Sequence, residues 1–238
     1  MSKIERKTRA MIFISGEGTN LQEIIDGAKT GNISADLVGV VSNKESAFGL
    51  VRARGAQIDT KVVPSKGTLN VPALRRKVED EFLNYIVDRH PDIIVLAGFM
   101  MILSDDFLRE VQSLGIIAIN LHPALLPSDG GEEVVTSLGT KIPALRGTHM
   151  IEEAYRQNFA ISGVTVHQVL PGVGVDKGPI ILRQEVTRDL QNDTQESWET
   201  KMHAVEHRVL TAALNRVIKV LEQGVDVSRG QYSWQSKL

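Results

Sequence analysis

Short apolar segments alternate with longer segments of helical pattern along the first half of the chain, and this alternation restricts the fold more than any other feature. Such a repeat favours a mostly parallel sheet covered by helices. Segment 92–96 is the most apolar predicted strand, which indicates a central place in the sheet. The strands are predicted over 10–14, 37–41, 60–63, 92–96 and 115–119, and the helices over 20–29, 48–54, 71–89 and 104–113.

The second half of the chain has a different pattern. Segment 128–147 has no clear period and is predicted as a surface loop, long enough to be functional or an insertion. Residues 164–169 alternate between apolar and polar, which indicates a half-buried strand, and 180–185 are its expected hairpin partner. Helices are predicted over 148–157 and 195–222, before a tail that begins at 224. The sequence thus predicts an α/β fold with a Rossmann-like, mostly parallel sheet and an antiparallel strand pair toward its C-terminal half.

Composition narrows the class of protein. The 238 residues carry a formal net charge of −2 and no cysteine, with a sequence pI of about 6.3. The charge argues against a nucleic-acid surface, and the lack of cysteine excludes disulfides, thiolate metal sites and thiol nucleophiles. No apolar run reaches the ~18 residues of a transmembrane helix, and segment 1–10 does not lead into the apolar core of a signal peptide. We expect a soluble, cytoplasmic protein with no nucleic-acid partner and no membrane partner.

An amide and an imidazole follow the apolar run 115–119. Asn120 and His122 are two residues apart, so an extended backbone points both side chains to the same side. Open α/β sheets bind their ligands at the carboxyl ends of their strands. An uncharged donor and a titratable ring in one cleft suit acyl transfer, in which Asn120 donates to an oxyanion. The alternative is an ordinary turn, because a His-Pro sequence often ends a strand.

A glycine-rich turn, Ser15–Asn20, follows the first predicted strand and leads into a helix. Small residues and a helix amino end provide N–H groups for an anion. A dinucleotide site would need a third glycine, where Leu21 stands, and an acid after the second strand, where Ser42–Lys44 stand. One phosphate group held by Gly18, Thr19 and Asn20 fits better, and a capped turn without a ligand is the alternative.

Asp176 is the only acid in loop 171–179, which joins the two later strands. A carboxylate beside an imidazole favours the charged ring, so Asp176 near His122 is expected to raise the pKa of His122 and let it donate a proton near neutral pH. An ordinary loop without a catalytic role is the alternative.

Two further histidine patterns have competing interpretations. Residues 203–207 read H-x-x-E-H, a zinc-peptidase pattern, but we expect a polar helix face near the substrate rather than a metal site. His167 lies on the alternating strand, where it either lines the cleft or is structural.

Six motifs, in their order along the chain, resemble the phosphoribosylglycinamide formyltransferase family, the folate-dependent formyltransferases of purine synthesis. The resemblance runs from Ile12 to about Leu221. The motifs are Ile14–Gln22, Val41–Lys44, Ala47–Leu50, Leu96–Met100, Asn120–Pro123 and Val175–Pro179.

The resemblance implies one formyltransferase domain over 1–238, with a phosphate-binding half (about 10–120), a catalytic and folate-binding half (about 121–222) and the tail 224–238. It implies transfer of the formyl group of 10-formyltetrahydrofolate, as co-substrate, to the amine of glycinamide ribonucleotide, without a metal. The partners are then these two small molecules, and a homodimer is compatible with the family.

The resemblance also implies residue roles. Asn120, His122 and Asp176 match the catalytic trio, in which Asn120 and a protonated His122 stabilise a tetrahedral oxyanion and Asp176 assists. The substrate-binding matches are Gly18, Thr19, Asn20 and Glu206, and the folate-binding matches are Arg75, Met100, Met101, Ile102, Leu103 and Val175.

The chain departs from the family pattern at three places. Many members carry arginine where this chain has Met101, segment 128–147 is longer than usual, and the loop before Asp176 is about two residues longer than in common bacterial members.

The main alternative is another enzyme of the formyl-transfer fold, such as a formyltetrahydrofolate hydrolase, which should add an amino-terminal regulatory domain. A methionyl-tRNA formyltransferase should add a nucleic-acid-binding domain. A non-catalytic nucleotide-binding module would use only the turn at Gly18.

Overall fold

The computed structural model describes residues 6–67 and 70–234. The first five residues of segment 1–10, which was considered for a signal peptide, and the last four residues of the predicted tail lie outside the described residues. The strands are β1 (Thr8–Ile14), β2 (Ala35–Ser42), β3 (Thr60–Val62), β4 (Ile93–Leu96), β5 (Ile117–His122), β6 (Glu133–Val135), β7 (Lys141–Pro143), β8 (Ile161–Gln168) and β9 (Ile180–Thr187). The helices are α1 (Thr19–Thr30), α2 (Gly49–Gly55), α3 (Pro72–Arg89), α4 (Asp105–Ser113), α5 (Met150–Arg156) and α6 (Gln195–Glu222).

Seven of the strands form one sheet in the order β3-β2-β1-β4-β5-β8-β9. The first five strands pair in parallel. β8 pairs antiparallel with β5 on one side and with β9 on the other. The predicted α/β class, the central place of β4 and the β8–β9 hairpin are confirmed. The order reverses direction between β1 and β4, and such a switch point leaves a crevice beyond the carboxyl ends of the two strands.

The sheet separates two hydrophobic layers. Alternate side chains of β1 point to opposite faces, because successive side chains of a strand do so. Ile12 and Ile14 pack in the layer that contains buried residues of α1 and α6, whereas Met11 and Phe13 pack in the layer that contains buried residues of α3 and α4. The crevice therefore has one wall built by α1 and α6 and another built around α4.

The prediction that β8 is half-buried is wrong, because every residue of the strand is buried. Its alternation is real, and Val164 and Val166 pack in the α6 layer. Thr165, which lies between them, points to the other face, where hydrogen bonds compensate its burial: its hydroxyl donates to the carbonyl of Ala124 and accepts from the N–H of Leu126.

The prediction that 128–147 is a surface loop is also wrong. The segment contains β6 and β7, which pair as a two-stranded antiparallel hairpin. Val134 and Ile142 form a small separate core with Leu125 and Ile161. Strands of three residues are too short to show a period of two, which is why the sequence pattern missed them.

The tail packs against the body of the protein. Trp234 is buried, and its ring meets that of Tyr232 edge-on at 4.8 Å between centroids. Among the described residues, no helix is long and apolar enough to cross a membrane.

Candidate active site

A cleft of about 550 Å³ opens at the carboxyl ends of β1, β4 and β5. Thr19 and Asn20 line it from the start of α1, and the loop after β4 lines it with residues 98–103. Asn120 and His122 line it from the end of β5, as expected for two side chains that project to the same side of a strand. The cleft thus collects the residues that follow three neighbouring strands.

The structure brings Asn120, His122 and Asp176 together. The Asn120 amide Nδ2 donates to Asp176 Oδ1 at 3.2 Å, and His122 Nδ1 lies 3.5 Å from Asp176 Oδ2. The side chains of His122 and Asp176 are only 3% and 8% exposed. The carboxylate therefore bridges the amide and the imidazole at the floor of the cleft.

The predicted rise in the pKa of His122 is not what the structure shows. Burial lowers the pKa of His122 below its ordinary value, although the charge of Asp176 and the carbonyl of Leu145 act in the opposite direction. The expectation that the ring is held cationic is therefore corrected to a ring that is neutral at neutral pH in the free protein. Sequence alone identified the charged neighbour but not the extent of burial, and burial has the larger effect.

Asp176 is kept ionised by its surroundings. Burial raises the pKa of Asp176, but the hydrogen bond with His167, the charges of His122 and His167 and the backbone N–H of Gly147 outweigh burial, so the pKa lies below its ordinary value. The backbone of Asp176 has a φ of +54°, which is uncommon for a residue other than glycine. Strain of this kind is typical of functional positions that the surrounding structure holds in place.

His167 is a fourth member of this cluster that sequence reasoning left undecided. It pairs with Asn120 across the antiparallel β5–β8 ladder, so both side chains lie on the same face. Its Nε2 lies 3.3 Å from Asn120 Nδ2 and 3.3 Å from Asp176 Oδ1, and its Nδ1 donates to the carbonyl of Gln168 at 3.0 Å. Knowledge of the β5–β8 register would have placed His167 in the site.

The carbonyl of Leu145 is a second contact that the sequence did not indicate. It accepts a hydrogen bond from His122 Nε2 at 2.7 Å. This bond assigns the proton of the neutral ring to Nε2 and leaves the lone pair of Nδ1 toward Asp176. A backbone oxygen carries no residue identity, so no motif could have revealed it.

The glycine-rich turn reaches the cleft through the start of α1. Gly18 caps the helix with a φ of +71°, and a Cβ there would lie 2.6 Å from the Cα of Gly49. Glycine is thus required for both the backbone angle and the close contact with the start of α2. Thr19 and Asn20 line the cleft, and the buried Oδ1 of Asn20 has no hydrogen-bond partner among the described residues. The amino end of a twelve-residue helix opens to the cleft here, which suits an anion.

Glu206 lies on the α6 wall of the cleft. Its Oε2 accepts from Nδ1 of His203 at 2.6 Å, and the pKa of His203 is raised by this hydrogen bond despite partial burial. His207, by contrast, faces Glu23 of α1 at 3.8 Å. The two imidazoles of the H-x-x-E-H pattern therefore contact different carboxylates, and the described residues contain no group of three or more His, Cys, Asp or Glu side chains that could hold a metal ion.

Five of the six predicted folate-binding residues form the opposite wall. Met100, Ile102 and Val175 are about half exposed and line the cleft, and Leu103 lines it with only 8% exposure. Apolar side chains left accessible inside a cleft suit a flat, partly apolar ligand.

Arg75 is placed behind this wall rather than in it. It is absent from the cleft lining, and its guanidinium donates to the carbonyl of Ile102 and to Glu79. The buried Glu79 also accepts from the N–H and the hydroxyl of Ser104, at 2.7 and 2.6 Å. Arg75 and Glu79 thus fix the loop over residues 102–104 from its far side.

The comparisons with known proteins agree with this geometry. A family model described as formyl transferase matches residues 8–214. The phosphoribosylglycinamide formyltransferase of Schizosaccharomyces pombe is 35% identical over 217 residues, which cover 87% of this chain and 96% of the relative. The enzyme of that name from Escherichia coli is 35% identical over 198 residues, 82% of each chain. The chain belongs to the phosphoribosylglycinamide formyltransferase family.

Structural comparison supports the same assignment. The crystal structure of phosphoribosylglycinamide formyltransferase from Bacillus halodurans superimposes with a TM-score of 0.73 at 30% identity, and covers 93% of this chain and 99% of its own. The resemblance inferred from the six motifs, the formyltransferase-type sheet and the class of enzyme are confirmed.

Within the phosphoribosylglycinamide formyltransferase family, Met101 stands where many members are expected to carry arginine. Its side chain is 3% exposed and packs in the layer that contains Phe82 and Phe107, although its edge reaches the cleft lining. In this chain the position therefore contributes to the core and provides no charge to the cleft.

Proposed function

We propose that the protein transfers the formyl group of 10-formyltetrahydrofolate to the amine of N1-(5-phosphoribosyl)glycinamide, a step in the synthesis of purine nucleotides. The observation that carries the proposal is the contact of one ionised carboxylate, Asp176, with both Asn120 and His122 at the floor of the cleft. The family membership of the chain supports the same reaction.

The walls of the cleft fit the two substrates. We propose that Gly18, Thr19 and Asn20 bind the phosphate of the ribonucleotide through the amino end of α1, with Glu206 on the same side accepting from its hydroxyl groups. The apolar wall of Met100, Met101, Ile102, Leu103 and Val175 suits the folate ring, with Arg75 supporting that wall from behind. This arrangement directs the formyl group and the acceptor amine to the floor between the walls.

A neutral His122 suits the proton transfers that the reaction needs. When the amine nitrogen attacks the formyl carbon, a carbon–nitrogen bond forms and the carbonyl electron pair moves to oxygen. The new ammonium must lose a proton, and the neutral imidazole is able to accept it at Nδ1, because Nε2 already carries the proton bonded to the carbonyl of Leu145. The resulting imidazolium is then stabilised by the Asp176 carboxylate and by the oxyanion. When the bond from carbon to N10 breaks, the electron pair goes to N10 and the ring returns its proton there.

Asn120 supplies the hydrogen bond to the oxyanion in this scheme. Its amide nitrogen donates to Asp176 and lies 3.3 Å from Nε2 of His167, so the developing oxyanion takes the place of one of these two neighbours. A donor that is already oriented costs little reorganisation when charge develops.

The direct test uses the purified full-length chain with both substrates. Formyl ribonucleotide and tetrahydrofolate should appear in equal amounts, and neither should form when the ribonucleotide is left out. Formate released without the ribonucleotide would instead indicate a hydrolase.

His122→Ala should lower turnover by about 10²- to 10⁴-fold, the range of general acid–base catalysis. Turnover of His122→Ala at the wild-type rate would remove the mechanism. His90→Asn, at the exposed end of α3, is the matched control and should behave as wild type.

A cytoplasmic location is proposed because both substrates are multiply charged small molecules of central metabolism. Cell fractionation with an antibody against the chain tests it.

A further inference from the structure

Two backbone groups of the hairpin segment touch the catalytic pair. The carbonyl of Leu145 accepts from Nε2 of His122 at 2.7 Å, and the N–H of Gly147 faces the carboxylate of Asp176. Leu145 and Gly147 are the second and the fourth residues after the end of β7. The segment therefore defines the orientation of the ring and the position of the carboxylate at the same time.

Glu132 is connected to the residues that neighbour these contacts. Its Oε2 accepts from Nη1 of Arg146 at 2.8 Å, and its Oε1 accepts from Nζ of Lys177 at 3.0 Å. Arg146 lies between Leu145 and Gly147 in the sequence, and Lys177 directly follows Asp176. Arg146 also donates to the carbonyl of Gly131 at 2.5 Å. One carboxylate thus joins the segment that holds the ring to the loop that carries Asp176.

We propose that Glu132 is a positioning residue for formyl transfer: by joining Arg146 to Lys177 it fixes Leu145 and Gly147 against His122 and Asp176. The inference rests on the proposed function and adds to it a residue outside the cleft lining. Since Lys177 and Arg146 lower the pKa of Glu132, its carboxylate is ionised at neutral pH and both ion pairs persist there.

This network contributes little to stability. The Glu132 side chain is 73% exposed and that of Lys177 is 39% exposed, and ion pairs so exposed to solvent add little to the free energy of unfolding. The hairpin has anchors of its own: Val134 and Ile142 are buried, and the N–H of Ser137 donates to Glu185 at 2.7 Å. Misplacement of a catalytic group by about 1 Å costs up to 10²-fold in rate, so the network acts on turnover rather than on folding.

The test compares Glu132→Gln with Glu133→Gln, which removes an exposed pair with Lys141 in the same hairpin but contacts no part of the site. Glu132→Gln should lower kcat about three- to tenfold, leave the KM for the ribonucleotide within about twofold, and leave the denaturation midpoint at the wild-type value. Glu132→Asp, which keeps the charge, should recover part of kcat. Glu133→Gln should match wild type in all three quantities. About 1 M NaCl, where the screening length is about 3 Å, should bring the kcat of wild type toward that of Glu132→Gln.

Two outcomes overturn the proposal. One is a kcat of Glu132→Gln equal to that of Glu133→Gln. The other is a loss of kcat accompanied by a lower denaturation midpoint, which indicates a structural role.

A readout without turnover separates this inference from the proposed function. If wild type forms no formyl ribonucleotide, the proposed function fails. The ¹⁵N signals of the His122 ring then show whether Glu132 positions that ring. A change in the tautomer or in the Nε2 signal in Glu132→Gln, but not in Glu133→Gln, supports the positioning role. Identical His122 signals in both variants overturn it.

Discussion

Nδ1 of His122 lies 3.5 Å from Oδ2 of Asp176, with both side chains almost completely removed from solvent. Attraction between a carboxylate and an imidazolium competes here with the cost of burying the charged ring, and burial has the larger effect on the free protein. The balance changes when an oxyanion forms nearby, because a second negative charge then favours the imidazolium. In the proposed reaction the pair therefore takes up a proton as the oxyanion forms rather than before it.

Asp176→Asn tests this arrangement. The amide keeps the size of the side chain but removes the charge that stabilises the imidazolium, so kcat should fall about 10²- to 10³-fold. The KM for the ribonucleotide should change by no more than about threefold, because the phosphate is proposed to bind at Thr19 and Asn20. Asp106→Asn, an exposed position on α4, is the control for loss of a carboxylate and should retain wild-type kinetics. An equally large rise in the KM for the ribonucleotide would contradict this division of roles.

The free energy of unfolding should depend on pH through His122. Burial lowers the pKa of the folded ring, whereas the unfolded ring titrates near its ordinary value of about 6.5. Below about pH 6.5 the unfolded chain binds a proton that the folded chain does not, so stability falls as pH falls, by up to about 1.4 kcal/mol per pH unit. The contribution is fully present above that pH.

Urea denaturation of wild type and His122→Gln between pH 5 and pH 7.5 measures the pH-dependent contribution of His122 to the free energy of unfolding. The difference between the two proteins cancels the other titrating groups, including His203, whose raised pKa has the opposite sign: its stabilisation is present at low pH and is lost as pH rises through the folded pKa. The stability of wild type relative to the variant should decrease toward acid. A difference that stays constant with pH would contradict a buried neutral ring.

The sequence predicted those parts of this molecule that a local pattern encodes. The parallel sheet, the place of β4 and the long α6 follow from apolar periodicity, and Asn120 and His122 share a side because they lie two apart on one strand. Asp176 is far from both in the sequence, and only the order of motifs connected it to them. His167 depends on strand register, Leu145 acts through a backbone oxygen, and the burial of His122 depends on packing that no local pattern records.

Arg75→Met separates direct folate contact from support of the loop. The guanidinium holds the carbonyl of Ile102, so its removal should raise the KM for the folate about five- to tenfold and leave the KM for the ribonucleotide unchanged. Arg76→Met is the matched control, since Arg76 is the next residue of α3 and pairs only with the exposed Asp80 and Glu110 among the described residues.

Glu79→Gln reports on the same support without altering Arg75. It weakens the bonds to Arg75 and Ser104 and should lower stability by about 1–3 kcal/mol, the cost of disturbing buried hydrogen bonds. If Arg75 acts by support, the KM for the folate rises in this variant as well. A folate KM that changes in Arg75→Met but not in Glu79→Gln would show that the guanidinium meets the folate itself.

Gly178→Ala should misplace the Asp176 carboxylate without changing that residue. A Cβ at this position would lie 1.8 Å from the carbonyl oxygen of Gln168, and backbone cannot move aside cheaply there because β8 is buried on both faces. The shift should be taken up by the loop that carries Asp176, two residues earlier, so kcat should fall at least tenfold, with lower stability. Gly55→Ala is the control, since a Cβ at the end of α2 meets nothing within 4 Å. A loss of kcat could come from a shifted Asp176 or from impaired folding, and crystal structures or ring ¹⁵N signals of His122 distinguish the two. A kcat loss with the His122 environment unchanged would mean that Gly178 matters for folding rather than for the position of Asp176.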